Sequence, residues 1–132
     1  MLIQSISGIR GTIGGVAGNG LTPPDIVRFA TGYGAWVLAN LSSDHSSNLS
    51  AKPIVVIGRD ARLSGAMVSD LVAATLNSLG IDVIDLGLST TPTVELAVPE
   101  LNADGGIILT ASHNPKQWNA LKLLDDNGEF LS

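Results

Sequence analysis

The sequence predicts an α/β fold, a mixed, mostly parallel sheet sandwiched between helices. Three observations carry that expectation. "PIVVIG" (53–58) and "GGIILT" (105–110) are continuous apolar runs of strand length, the pattern of strands buried on both faces. Stretches with apolar residues at helical spacing separate the strand-like runs. The resulting order is strand, helix, strand, helix, strand, short helix, strand, strand, an alternation suited to parallel strands joined by right-handed crossovers.

"LIQSI" (2–6) alternates weakly and reads as a short first strand, followed by the glycine-punctuated "SGIRGTIGGVAGNG", read as a flexible loop. A helix start is written into "LTPPD". Thr22 suits the cap, Pro23 and Pro24 suit the first turn, and the Asp25 carboxylate favours the positive end of the dipole. Ile26, Phe29, Ala30, Tyr33, Val37 and Leu41 then fall on one stripe. Gly32 and Gly34 weaken this helix unless they serve close packing against the sheet.

The polar stretch 42–52 is a surface loop, in which His45 is a solvated residue and no ligand. After the 53–58 strand, a second helix runs from about Gly65 to Leu79. Val68, Leu71, Val72, Thr75, Leu76 and Leu79 form its stripe, and Gly80 stops it. "IDVIDLG" (81–87) is the next strand. "TPTVELAVPELN" is a short helix started at Thr91-Pro92 and interrupted near Pro99. "NALKLLD" (119–125) is the last strand, ended by the turn "DDNG".

Composition narrows the function classes. The chain has 132 residues, 45% of them hydrophobic, enough for one buried core without staples. With no cysteine, disulfides and thiolate metal sites are excluded. The net charge of −5 argues against nucleic acid or an anionic membrane as partner. The first residues have no basic segment followed by a long apolar stretch, and no run reaches the length of a membrane span, so the expected location is cytoplasmic.

In open α/β sheets, chemistry gathers in the loops at the carboxyl ends of strands. Here those are "SGIRG", "GRDARLSG", "GLSTTPT" and "TASHNP". Arg10, Arg59, Arg62, Lys116 and Lys122, five of the seven basic residues of an acidic chain, lie in or beside them. That placement favours an anionic ligand such as phosphate. Taken singly each loop has a plainer explanation: an Arg59–Asp60 ion pair closing a turn, a glycine loop, an Asn114-Pro115 turn. Ser112 is no ordinary hydrolase nucleophile, because the Gly-x-Ser-x-Gly elbow is absent and His113 is its sequence neighbour. Dinucleotide and Walker signatures are absent too.

Five segments in order, "SGIRG" (7–11), "VIGRDARLSG" (56–65), "TTPT" (90–93), "TASHNP" (110–115) and "NALKL" (119–123), resemble the α-D-phosphohexomutase superfamily of phosphoglucomutases, phosphomannomutases and phosphoglucosamine mutases. The likeness covers essentially the whole chain but only the first of the family's domains. It implies residues 1–132 as a single domain I-like unit, the N-terminal phosphoserine-loop domain of a larger multi-domain enzyme. It further implies that Ser112 carries a phosphoryl group exchanged with a hexose 1- or 6-phosphate through a bisphosphate. Arg10 and Lys122 would supply positive charge, with Lys122 helping to move the hydroxyl proton, and His113 would be an acid/base partner. Asn114-Pro115 would fix the loop, while Arg59, Asp60 and Arg62 support it.

By the same likeness Mg²⁺ would bind through phosphorylated Ser112, its other ligands coming from a later domain. The partners implied are a hexose phosphate and the enzyme's remaining domains, and the fragment alone would be inactive. The family commonly has glycine where this chain has Ala120 and tyrosine where it has Trp118, so Ala120 requires an ordinary φ. No Asp-Gly-Asp-type metal loop, glutamate-serine sugar loop or C-terminal phosphate loop occurs here. A fragment of this kind would leave the strand-end face partly unsupported, with self-association or a loose tail after Asp125. The alternative class is a standalone phosphosugar-binding or interaction module without catalysis. A small serine hydrolase is the third.

Overall fold

The computed structural model describes residues 1–6, 8–41, 52–62, 64–110 and 118–132. Six strands form one sheet: β1 (Leu2–Ser5), β2 (Gly8–Thr12), β3 (Ile54–Arg59), β4 (Asp82–Leu88), β5 (Gly105–Leu109) and β6 (Trp118–Leu124), in the spatial order β1-β2-β6-β5-β3-β4. The helices are α1 (Pro23–Ala39), α2 (Gly65–Ser78) and α3 (Thr91–Glu100). None of the described helices is long and apolar enough to cross a membrane.

The sheet is mixed, as expected, and its antiparallel share is larger than the sequence suggests. β3 pairs in parallel with β4 and β5, whereas β1–β2, β2–β6 and β6–β5 are antiparallel. The difference lies in residues 8–12, expected as a flexible glycine loop and found as a full strand between β1 and β6. Ile9 is its one buried large side chain. The glycines serve close backbone approach: a Cβ on Gly8, whose φ is +148°, would lie 1.9 Å from the Leu121 carbonyl oxygen, and one on Gly11 would lie 2.6 Å from the Met1 carbonyl oxygen.

Alternation along the central strands sorts the core into two layers. Val55 and Ile57 of β3, Ile107 and Leu109 of β5 and Leu121 of β6 pack with Ile26, Ala30, Tyr33 and Val37 of α1 and Val68, Val72 and Leu76 of α2. Val56, Ile108 and Leu124 face the other way, against Val94 and Val98 of α3. Helices therefore cover both faces. Gly34 has its close contact with a helix and not with the sheet, since a Cβ there would lie 2.5 Å from Leu79 and 3.1 Å from Leu76, while Gly32 faces open space.

The helix ends follow the local chemistry. Asp25 is buried and accepts hydrogen bonds from the Thr22 hydroxyl, the Thr22 N–H and the Gly18 N–H, tying the glycine segment to the start of α1. The Thr22 hydroxyl bond is the main cause that holds this carboxyl below the usual aspartate range. α3 runs through Pro99 to Glu100 and is not interrupted there. Proline in the last turn costs only the bond to the Glu95 carbonyl. The Asp125–Gly128 turn fills that spot, a Cβ on Gly128 falling 2.1 Å from the Glu95 oxygen. The tail after Asp125 is folded onto the sheet: the Leu131 N–H donates to the Leu123 carbonyl (3.2 Å), and Leu124 bridges to Phe130. The expectation of a loose tail is thereby corrected.

Candidate functional site

β3, β4 and β5 run in the same direction, and β2 shares it through β6. Their carboxyl ends form one edge of the sheet, and α2 and α3 begin directly after β3 and β4 at that edge. The positive ends of α2 and α3 thus gather at the edge where β3, β4 and β5 end.

Arg10, expected in a loop, is a strand residue, and Lys122 lies in the last strand as expected. Arg10 stands in β2 between Ile3 and Ala120, and Lys122 in β6 between Gly8 and Ile108. Directly opposed strand residues share a face, so Arg10, Ala120 and Lys122 all lie on the face covered by α3. α3 packs over β3 and β5, and Arg10 on β2 remains exposed. Arg10 and Lys122 line one shallow groove of about 270 Å³, together with Ile3, Ser5, Gly8 and Ala120. As diagonal neighbours their backbones stand about 7–8 Å apart. Ala120 has no positive φ and fits the strand as an ordinary residue.

The row that holds Arg10 and Ala120 continues into Thr110, whose N–H donates to the Ala120 carbonyl (3.2 Å). Thr110 opens the "TASHNP" stretch. Ser112, His113, Asn114, Pro115 and Lys116 lie outside the described residues, as does His45. The feet of that loop are described. It joins β5 to its antiparallel neighbour β6, on the edge that carries Arg10.

The β3–α2 connection braces those feet. The Arg62 Nε donates to the Asp60 carboxylate (3.0 Å) and its Nη1 to the Trp118 carbonyl (3.3 Å). The ion pair that the sequence suggested between Arg59 and Asp60 is made instead by Arg62 and Asp60. The Arg59 side chain lies over Gly65 at the start of α2, where a Cβ would come within 3.3 Å of its Nη1. Asn119 went unassigned in the sequence reading. It is fully buried, and its Nδ2 donates to Ser64 Oγ (2.9 Å) while its Oδ1 accepts from the Ala120 N–H (2.8 Å). The signal was there: a buried polar side chain inside an apolar strand needs a partner.

Among the described residues no group of three or more carboxylate, imidazole or thiol side chains could hold a metal ion.

A family profile for phosphoglucomutase/phosphomannomutase, alpha/beta/alpha domain I, matches residues 2–132. The chain belongs to this family. Among curated family members, the phosphoglucomutase/phosphomannomutase of Thermococcus kodakarensis is 40% identical over 123 residues, covering 92% of this chain and 25% of that protein. The phosphoglucosamine mutase of Leuconostoc mesenteroides is 41% identical over 118 residues, covering 89% of this chain and 25% of that protein. A crystal structure of a phosphoglucomutase/phosphomannomutase family protein from Burkholderia thailandensis superposes with a TM-score of 0.73 at 27% identity, over 95% of this chain and 26% of that one. The chain spans about a quarter of the length of these phosphohexomutase relatives.

Proposed function

We propose that this chain is the phosphoryl-carrying domain of a hexose-phosphate mutase, with Ser112 as the carrier. The observation that supports it best is the meeting of Arg10 and Lys122. They are far apart in sequence, yet they line one groove on a sheet face, and Arg10 stands level with Ala120, whose carbonyl accepts from Thr110 at the foot of the segment that holds Ser112. A phosphoserine carries about −1.5 to −2 charges, so its transfer depends on pre-placed positive charge more than on covalent ingenuity.

In the proposed step, a sugar hydroxyl oxygen forms a bond to phosphorus as the bond from phosphorus to the Ser112 oxygen breaks. The hydroxyl proton passes to the serine oxygen with His113 as acid/base partner and Lys122 assisting. The sugar bisphosphate then turns around, and its other phosphate returns to Ser112 by the reverse exchange. Arg10 and Lys122 hold the anionic phosphoryl group during transfer. The family resemblance implies Mg²⁺ on the Ser112 phosphate, where it would neutralise charge, with its other ligands from outside these residues. Hexose phosphate is the substrate class, and the remaining domains of the longer protein are the partners. The 132-residue chain alone should not turn over.

The test is intact-mass analysis of the longer protein after incubation with a hexose bisphosphate. The expected result is one phosphoryl group, mapped to Ser112, together with loss of turnover in Ser112→Ala. Full turnover by Ser112→Ala would remove the mechanism.

A further inference from the structure

β5 stops at Leu109, whereas β6 begins at Trp118, beyond the last pairing the two strands make at Leu109–Leu121. Trp118 and Asn119 are paired with Thr12 and Gly11 of β2 on one side. On the other side no strand is found among the described residues. Residues 60–62 and Ser64 lie there. The Asp60 N–H donates to the Leu109 carbonyl (3.1 Å), at the foot where the chain leaves β5. The Asp60 carboxylate accepts from the Arg62 N–H (3.1 Å) and Nε (3.0 Å), which sets the guanidinium so that Nη1 reaches the Trp118 carbonyl (3.3 Å) at the other foot. Ser64 Oγ accepts from Asn119 one residue further on.

We propose that Asp60, Arg62 and Asn119, with Ser64, are positioning residues that fix the two feet, Leu109 and Trp118, between which Ser112 lies in the chain, an inference that rests on the phosphoserine reading above. Each of the four touches strand or turn backbone or another of the four. An arginine whose side chain is only 12% exposed, already paired with Asp60 and aimed at a backbone carbonyl, is poorly placed to greet a substrate phosphate. Its planar fork is what lets one side chain hold the carboxylate and the carbonyl at once, and a lysine ammonium on a flexible stem cannot reproduce that geometry. Small displacements of a reacting group are costly: about 1 Å of misplacement lowers a rate by as much as ~100-fold.

The experiment uses the longer protein with Arg62→Lys and, separately, Ser64→Ala. Turnover kinetics are paired with the rate at which Ser112 takes up phosphate from a hexose bisphosphate. For Arg62→Lys, kcat should fall about tenfold, with slower uptake at Ser112 and KM within about twofold. Ser64→Ala should move kcat in the same direction by less, and it decides alone if Arg62→Lys does not fold. Unchanged kcat in both variants would overturn the proposal, as would a raised KM at normal kcat, which would make Arg62 a substrate contact. If the unsubstituted protein takes up no phosphate on Ser112, the phosphoserine reading fails first and this inference falls with it. Normal uptake by the unsubstituted protein with normal kcat in the variants sinks the positioning role alone.

Discussion

The Tyr33 phenol donates a 2.6 Å hydrogen bond to the Leu124 carbonyl and accepts one of 2.9 Å from the Gly106 N–H, so a helix side chain is spliced between β5 and β6 where Gly106 and Leu124 face each other. Gly105 makes room for it, since a Cβ there would lie 2.1 Å from the phenol oxygen. Tyr33→Phe leaves the Gly106 N–H and the Leu124 carbonyl buried without this partner. It should cost about 1–3 kcal/mol in urea denaturation. Burial also pushes the phenol well above its ordinary value. Because the folded state holds the proton more tightly, stability from this group is complete below about pH 10 and declines as pH rises further. The substituted protein should lack that alkaline component, which denaturation midpoints between pH 8 and pH 11 would reveal as a flatter profile.

Asp25 works in the opposite direction. Its carboxyl is held below the ordinary aspartate value, first by the Thr22 hydroxyl and then by the Gly18 and Thr22 N–H groups and Arg28. Stability from a lowered carboxyl is complete above the unfolded value of about 4 and is lost as pH falls through the folded value. Asp25→Asn should be less stable at neutral pH and should show a shallower acid limb. Thermal midpoints recorded from pH 7 down to pH 2 check both, and parallel curves for the two proteins would refute the assignment.

Gly8 couples the fold to the groove. With a Cβ 1.9 Å from the Leu121 oxygen and a φ of +148°, Gly8→Ala must push β2 away from β6. The expected loss is about 1–3 kcal/mol of stability. A fall in turnover should accompany it in the longer protein, because the same pairing sets Arg10 against Lys122. Stability without change and full activity together would show that the strand tolerates the methyl group.

Arg10 is exposed, so Arg10→Ala should leave stability within about 0.5 kcal/mol. In the longer protein it should lower kcat by about 100-fold or more, the usual scale for losing a donor that stabilises developing charge. Lys122→Ala should act similarly. The double variant should fall short of the product of the two losses if, as proposed, the residues serve one phosphoryl group. Strict multiplicativity in steady-state kinetics would argue that they act at separate places.

Much of this molecule was legible before any coordinates. The 53–58 and 105–110 runs, the capped start at Thr22-Pro23 and the stripe from Val68 to Leu76 each announced an element within a residue or two of its bounds. Those signals are local: apolar periodicity, caps and breakers act over a few neighbouring residues. The ordered segments around "TASHNP" were enough to indicate the family that the profile match then showed.

The tertiary structure decided the rest. Residues 8–12 have too many glycines to be a strand on their own propensity, and they become one because β1 and β6 supply hydrogen-bond partners on both sides. The same pairing turns Arg10 from a loop cation into a strand residue that shares one sheet face with Lys122. The brace from Arg62 to Trp118 and from Asn119 to Ser64 was likewise hidden, because it joins residues more than fifty positions apart. The sequence by itself determined the helices, every strand except residues 8–12, and the family. Only the folded chain decided which cations meet, because strand register depends on partners that lie far away along the backbone.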